Sequence, residues 1–217
     1  MNMKCYLYVI NYIRRLIRFI NRKRLKVNDF SLITNECTGG VISHDLHLKF
    51  KSPTVNLYFH DEEFILFCEH LTEYLQLELV EKSSNDLNFP SGVLQGQYGD
   101  VHVYFMHYST FDEAKAKWNE RRMRVDFERL YVIMHMPTFN EDLIRRFSKI
   151  PIKNKVVITS KHMNLVAFGM KKGFYEKSYY PGKILDYSPL GLYRYLDDFD
   201  YVKFFNKGEI CRRSRLF

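Results

Sequence analysis

Short apolar runs rich in β-branched residues alternate with segments of helical periodicity along most of this chain. We predict strands at Phe30–Thr34, Thr54–Phe59, Val93–Tyr98, Val101–His107, Leu130–Met134 and Val156–Thr159. Helices are predicted from Asp61 to Leu75, after a cap at Ser109 or Thr110, and from about Asn140 to Phe147. This alternation is typical of a layered α/β fold, and the hairpin at Gly99-Asp100 makes the predicted sheet mixed.

Charge divides the chain into two parts, a helix at 1–26 and a single α/β domain at 27–217. The first 26 residues hold eight Lys and Arg and no Asp or Glu, which accounts for the whole net charge of +8. Residues 27–217 are therefore formally neutral. Because a duplex binder needs a basic face, we expect no nucleic-acid partner.

The N-terminal segment is predicted to be a basic amphipathic helix that neither spans a membrane nor acts as a signal peptide. Its aliphatic face collects Val9, Ile13, Leu16 and Ile20, beside a separate row of Arg14, Arg18 and Arg22. One alternative is that this face docks on the protein's own domain or on a second subunit, and the second case would make the protein a homo-oligomer. The other alternative is that residues 5–24 lie on the anionic inner face of a membrane.

The cysteines indicate the compartment. Four are scattered without a Cys-x-x-Cys pair, so neither a zinc knuckle nor a disulfide framework is predicted. Free thiols suit a reducing cytoplasm.

Several uncommon residues recur at the spacing of a known bacterial family. The segments that carry the likeness are Asp29–Gly40, Ser52–Phe59, the Gly99-Asp100 hairpin, and His107-Tyr108 followed by Ala114–Arg122. They resemble the DUF1919 family over roughly Phe30 to Phe205. The resemblance implies a three-layer α/β/α fold and a link to exopolysaccharide biosynthesis. It brings no established catalytic residues and no known cofactor.

The first candidate site is Asn35–Gly40, at the end of the first predicted strand. Backbone N–H groups beside Gly39 and Gly40 could cradle the phosphates of a donor, with Asn35 and Cys37 next to them. The structural alternative is a plain tight turn. Cys37 could act as a nucleophile, but no base is identified for it. Its alternative role is that of a small buried apolar group.

The second and third candidates follow later strands. His60 and Asp61 suit a general acid/base pair or a metal site, or only the acidic start of a helix with a solvated histidine. We predict no metal. The third candidate is the helical segment with Lys117, Trp118, Arg121 and Arg122, which offers cations and an aromatic surface to an anionic sugar. Its alternative is a tryptophan anchored in the core among solvated charges.

Together with the resemblance, these residues predict a cytoplasmic protein of exopolysaccharide or capsule assembly. The leading hypothesis is a transferase that uses a sugar nucleotide or another anionic donor. The alternative is a non-catalytic accessory protein of the same pathway, held to a membrane or to partner enzymes by its N-terminal helix.

Overall fold

The computed structural model describes residues 3–82, 87–160, 164–170, 173–176 and 182–214. In chain order its helices and strands are α1 Met3–Arg24, β1 Ser31–Thr34, α2 Thr38–Leu46, α3 Asp61–Glu69, α4 Leu71–Tyr74, β2 Leu79–Glu81, β3 Ser91–Gly96, β4 Gly99–Tyr104, α5 Phe111–Arg122, β5 Leu130–Met136, α6 Glu141–Lys149, β6 Asn154–Thr159, β7 Phe174–Tyr175 and α7 Tyr201–Lys207. Short 3-10 helices lie at Leu165–Phe168 and Tyr195–Asp198.

The strands confirm the α/β class and contain both parallel and antiparallel pairs, divided between two sheets. The first sheet has the order β1-β5-β6-β7, with every neighbouring pair parallel. The second has the order β2-β3-β4 and is antiparallel, with Leu94 opposite Val101 in the predicted hairpin. Helix α6 forms the crossover between the parallel neighbours β5 and β6.

Helices cover both faces of the parallel sheet, so the fold has three layers. Along β5, Val132 and Met134 pack into a core that contains buried residues of α3 and α6. Tyr131 and Ile133 point to the opposite side, into a second core with α2 and α7. This alternation follows from the two-residue period of a strand. The run of apolar residues in β5 is therefore buried on both faces.

The predicted strand at Thr54–Phe59 is wrong. The segment is irregular, and within it only Tyr58 forms a bridge, to Tyr104. Val55, Leu57 and Phe59 are buried, as a strand pattern would require. The backbone is not extended, however, because Asn56 adopts a left-handed φ of 63°. Alternating burial can thus come from a bent loop as well as from a strand.

The N-terminal helix is confirmed, but its predicted aliphatic face is only partly covered, because Ile13 and Ile20 are partly buried. The docked side combines the buried Ile10 with polar contacts. Asn21 donates from Nδ2 to the Tyr201 hydroxyl over 2.9 Å, and Arg22 donates from Nε to the Asp45 carbonyl over 2.8 Å. Val9 and Leu16 of the predicted face remain 44% and 41% exposed. Among the described helices, α1 included, none is long and apolar enough to cross a bilayer.

Candidate functional site

A cavity of about 920 Å³ opens at the carboxyl ends of β1 and β5. Ligands of open α/β sheets bind at this edge. Polar residues around the cavity are Asn35, Glu36, Cys37, Tyr58, His60, Asp61, Glu62, Glu63, His107, His135, Lys183 and Asp186. Of the predicted site residues, Asn35, Cys37, His60 and Asp61 line it.

Asn35 ties three segments together at the floor of the cavity. It follows β1, and its Nδ2 donates to the His135 carbonyl over 2.8 Å while its Oδ1 accepts from the His135 N–H over 2.9 Å. The same amide nitrogen lies 3.3 Å from Oδ1 of Asp61. Because the side chain is 5% exposed and bonded at both ends, its orientation is fixed. Asn35 therefore acts as a structural link that positions Asp61.

His135 is held between two carboxylates near the end of β5. Its Nδ1 lies 3.1 Å from Glu36 Oε1, and its Nε2 lies 3.3 Å from Glu176 Oε1. Burial by itself lowers the pKa of the imidazole, but hydrogen bonds and charges from Glu176 and Glu36 outweigh it and raise the pKa to about 9. At neutral pH the ring is thus a cation that donates from both nitrogens.

Glu176 comes from the far edge of the parallel sheet, directly after β7. Its side chain is buried, and Oε1 also accepts a hydrogen bond from the Gly182 N–H over 3.2 Å. Glu36, Asn35 and Cys37 come from the opposite edge, after β1. The site is therefore assembled across the whole width of the sheet.

Asp61 is the first residue of α3 and the titratable group best suited to proton transfer. Burial raises the pKa of its carboxyl, and the hydrogen bond from Asn35 and the charge of His135 oppose that rise. A carboxyl with a raised pKa is a better base than an ordinary one once ionised. Asp61, Glu62 and Glu63 also occupy the first turn of α3, as acids favoured by the helix dipole do.

His60 lies at the rim of the cavity. It is exposed, and its ring stands edge-on to Tyr104 at 5.0 Å and to Tyr58 at 5.8 Å between centroids. His60 and Asp61 are therefore brought to one cavity as predicted, with Asp61 the more enclosed of the two. Glu63, which also lines the cavity, pairs with His102 at 2.6 Å.

The predicted glycine loop is instead the first turn of α2. Neither Gly39 nor Gly40 has a positive φ. A Cβ on Gly39 would lie 2.7 Å from Thr34 Oγ1, so this glycine lets α2 pack closely on β1. The Gly39 N–H already donates to Thr34 Oγ1 over 3.2 Å. Of this segment, only the part before the glycines faces the cavity.

Cys37 lines the cavity as an unreactive thiol. Burial and the nearby Glu36 raise its pKa to about 11. Since the thiolate is the nucleophilic form, a neutral thiol at physiological pH is unsuited to attack a substrate.

The residues predicted on α5 lie outside the lining of the cavity. Trp118 is 1% exposed and packs near Phe67 in the core, so it offers no open surface for a sugar. Arg121 donates to the Tyr108 hydroxyl over 2.7 Å. The Arg122 guanidinium donates to backbone carbonyls that follow α4, and the Lys117 ammonium lies 3.2 Å from Glu120. These contacts match the structural alternative for this helix.

Two residues of the site, His135 and Glu176, were missed from the sequence, and Glu36 lay inside the predicted segment Asn35–Gly40 without a role of its own. A usable signal existed for His135, because it is the polar residue in an otherwise apolar strand, LYVIMHM. Glu36 and Glu176 carry no such signal. Within residues 3–82, 87–160, 164–170, 173–176 and 182–214, no three His, Cys, Asp or Glu side chains are arranged to hold a metal ion.

Comparison with known proteins places all of the cavity residues inside one matched region. A family model described as a domain of unknown function, DUF1919, matches residues 8–206. A protein of Haemophilus influenzae, named only as an uncharacterized protein, is 35% identical over 195 residues, which cover 87% of this chain and 91% of that protein. The region matched by the family model includes most of α1 as well as the residues of the cavity.

Proposed function

The chain belongs to the DUF1919 family, and we propose that it is a transferase of exopolysaccharide or capsule assembly that binds a sugar substrate in the cavity beside His135. The observation that carries the proposal is the position of Asp61, a half-buried carboxyl of raised pKa fixed by Asn35 at the floor of a large open cavity. Perturbed carboxyls in clefts are typical of groups that move protons.

The size and lining of the cavity suit a polyhydroxyl ligand. Its volume of about 920 Å³ is at the upper end of the range for small-molecule sites. The carboxylates of Glu36, Glu62 and Asp186 can accept hydrogen bonds from sugar hydroxyls, and the Asn35 side chain fixes the floor. Tyr58 contributes an aromatic wall. Acceptor-rich surroundings of this kind fit the hydroxyl groups of a sugar.

In the proposed reaction, Asp61 removes the proton from an acceptor hydroxyl. The oxygen then attacks the anomeric carbon of an activated sugar, and the bond from that carbon to its phosphate leaving group breaks. The electron pair leaves with the phosphate, and the proton stays on Asp61 until solvent removes it. His60, exposed at the rim, is the second candidate for this proton transfer.

The donor's phosphates would lie by Asn35 and Cys37, next to the N-terminus of α2, because a helix N-terminus favours anions. The His135 cation does not serve this purpose directly, since Glu36 and Glu176 already balance its charge. We assign it to holding Glu36 in place. The proposal sets the reaction in the cytoplasm, which the four free cysteines support.

A thermal-shift screen against nucleotide sugars, nucleotides and sugars tests binding first, because a ligand of the folded state raises the melting temperature. We expect a reproducible shift with one class of nucleotide sugar. No shift across the panel at millimolar ligand would favour the non-catalytic accessory role instead.

Asp61→Asn then tests the chemistry in a transfer assay with the donor so identified. We expect donor binding to persist while the rate of transfer falls by about 100-fold or more, the usual contribution of a general base. The matched control is Asp112→Asn, an acid that also lies in the first turn of a helix but is exposed and outside the cavity. Full transfer activity in Asp61→Asn would remove this residue from the mechanism.

The same assay tests the predicted anion site on α5. Arg121→Ala is expected to leave donor affinity unchanged, because the guanidinium is already bonded to Tyr108. Weaker donor binding in this variant would return Arg121 to the site.

A further inference from the structure

The outward face of α1 carries large apolar side chains that are exposed to solvent. Four of them lie on one stripe, which we call the outer stripe and define as Tyr8, Tyr12, Leu16 and Phe19. Their exposed fractions run from 41% for Leu16 to 76% for Tyr8. Spacings of four, four and three residues place the four side chains above one another on a helix. Soluble monomers rarely expose contiguous stripes of this kind without a use for them.

The other side of α1 is already occupied by the domain. Ile10 and Asn21 are 3% and 1% exposed, and Asn21 is bonded to Tyr201. Arg14 donates to the Gly191 carbonyl from both Nε and Nη2, at 2.9 and 2.6 Å. Arg24 pairs with the buried Asp200. Turning the outer stripe toward the domain would break all of these contacts. The outer stripe is therefore not a face that packs in the core of the domain.

Every charged residue of α1 is basic. α1 contains no acidic residue. Arg15 and Lys23 border the stripe and are exposed, and Lys26 follows the helix. The Lys23 ammonium lies 5.6 Å from the centre of the Phe19 ring. These bases differ from Arg14, Arg22 and Arg24, whose side chains are used to hold the helix on the domain.

We propose that the outer stripe of α1 lies in the surface of a membrane with anionic headgroups, with its aromatic and aliphatic side chains at the acyl boundary. Arg15 and Lys23 would then contact lipid phosphates. Apolar side chains flanked by bases are the composition of helices that lie in the plane of a bilayer. This inference goes beyond the proposed function, because it holds whether or not the cavity is catalytic.

A second copy of the chain fits the same surface less well. A symmetric contact would bring two outer stripes together and set the Arg15 and Lys23 of one copy near those of the other. No acidic residue on α1 could compensate for that charge. A nucleic acid would match the bases but not the apolar centre of the stripe.

Vesicle sedimentation of the purified full-length protein tests the proposal. We expect the protein to sediment with vesicles of phosphatidylcholine and phosphatidylglycerol, and much less with phosphatidylcholine alone. The variant Tyr8→Ser/Tyr12→Ser/Phe19→Ser should partition at least about tenfold more weakly, since each change removes apolar surface from the lipid. Arg15→Gln and Lys23→Gln should each weaken binding to the mixed vesicles by about fivefold, with little effect on neutral ones.

The matched control is Tyr98→Ser/Met123→Ser/Phe127→Ser, which changes three side chains that are at least 50% exposed but lie off the helix. It should bind vesicles like the original protein. All variants should keep the melting temperature, because none of the altered side chains supports the core. Undiminished vesicle binding by the outer-stripe variant would overturn the proposal. So would a dimer in analytical ultracentrifugation that the same variant converts to a monomer, because the stripe would then be a subunit interface.

Discussion

At the scale of single residues, His135 combines burial with a positive charge. An isolated imidazolium in the core would lose its proton, because burial penalises the charged form. Here Glu36 and Glu176 lie within 3.3 Å of its ring nitrogens and reverse that preference. The imidazolium therefore cross-links the loop after β1 to the residue after β7. Its charge state bears on the geometry of the cavity as well as on stability.

The raised pKa predicts that the protein loses stability as the pH rises above neutral. The folded pKa of His135, about 9, lies above the ordinary value of 6.5. Its contribution is therefore complete below about pH 6.5 and disappears as the pH passes through 9. The shift corresponds to a loss on the order of 3 kcal/mol in the free energy of unfolding. Urea unfolding between pH 6 and about pH 10 measures it.

His135→Gln supplies the control for this pH dependence. Glutamine keeps a polar group at the position but does not titrate, so its unfolding free energy should be lower at pH 6 and should change less between the two pH values. If the original protein and His135→Gln follow the same pH profile, another group is responsible for any loss and the protonated state of His135 is wrong.

At the scale of elements, the close packing of α2 on β1 depends on Gly39. The glycines were predicted to give a loop freedom to bind phosphate, whereas the structure uses them inside a helix. With a Cβ only 2.7 Å from Thr34 Oγ1 and 2.9 Å from its Cγ2, residue 39 has no room for a side chain. Thr34 is itself buried and cannot easily move. A helix of ordinary residues would stand further from the strand and shift the cavity floor.

Gly39→Ala is therefore expected to destabilise the protein in spite of the better helix propensity of alanine. Overpacking costs about 1–3 kcal/mol, which exceeds the gain of roughly 1 kcal/mol from removing a helical glycine. Gly40→Ala is the matched control. Its Cβ would lie 3.1 Å from Oδ1 of Asn56, an exposed side chain that can move aside. Chemical denaturation of both variants decides the point, and equal stabilities would show that the packing at Gly39 is not tight.

Most elements could be predicted from the sequence because their signals are local. Thr110 caps α5 by accepting from the Glu113 N–H, as its position before two acids indicated. The segment Thr54–Phe59 failed because its buried positions alternate like those of a strand, while the turn at Asn56 depends on tertiary packing. The division of the strands into two sheets was also beyond local pattern. Which strands pair with one another depends on contacts between segments that are distant in the sequence.

At the scale of the whole molecule, the candidate site shows why sequence reasoning stops where it does. His60 and Asp61 could be proposed because they are adjacent and follow an apolar run. About a hundred residues separate Glu36 from His135, and about forty separate His135 from Glu176. Only the order of the parallel strands brings the three together. The predicted aromatic surface on α5 is absent for a related reason, because Trp118 is 1% exposed. The burial of Trp118 depends on which face of that helix meets the core.

The N-terminal helix belongs to the fold as well as to the proposed membrane surface. The region matched by the family model begins at residue 8, inside α1. Removal of residues 1–26 would leave Asp200 without Arg24 and Tyr201 without its bond to Asn21. It would also lower the formal net charge from +8 to zero, which promotes association.

We therefore expect the free energy of unfolding of the 27–217 fragment to be lower than that of the full chain by on the order of 3 kcal/mol. The fragment should unfold at a lower urea concentration and aggregate more readily. Asn21→Ala/Arg24→Gln in the full chain separates the two causes. It removes two of the docking contacts, to Tyr201 and Asp200, but only one charge, so it should lose part of the stability and remain soluble. The outer-stripe variant should keep nearly full stability, since its altered side chains face away from the domain. A fragment as stable as the full chain would mean that α1 is held only loosely, and the outer stripe could then turn toward the domain when no membrane is present.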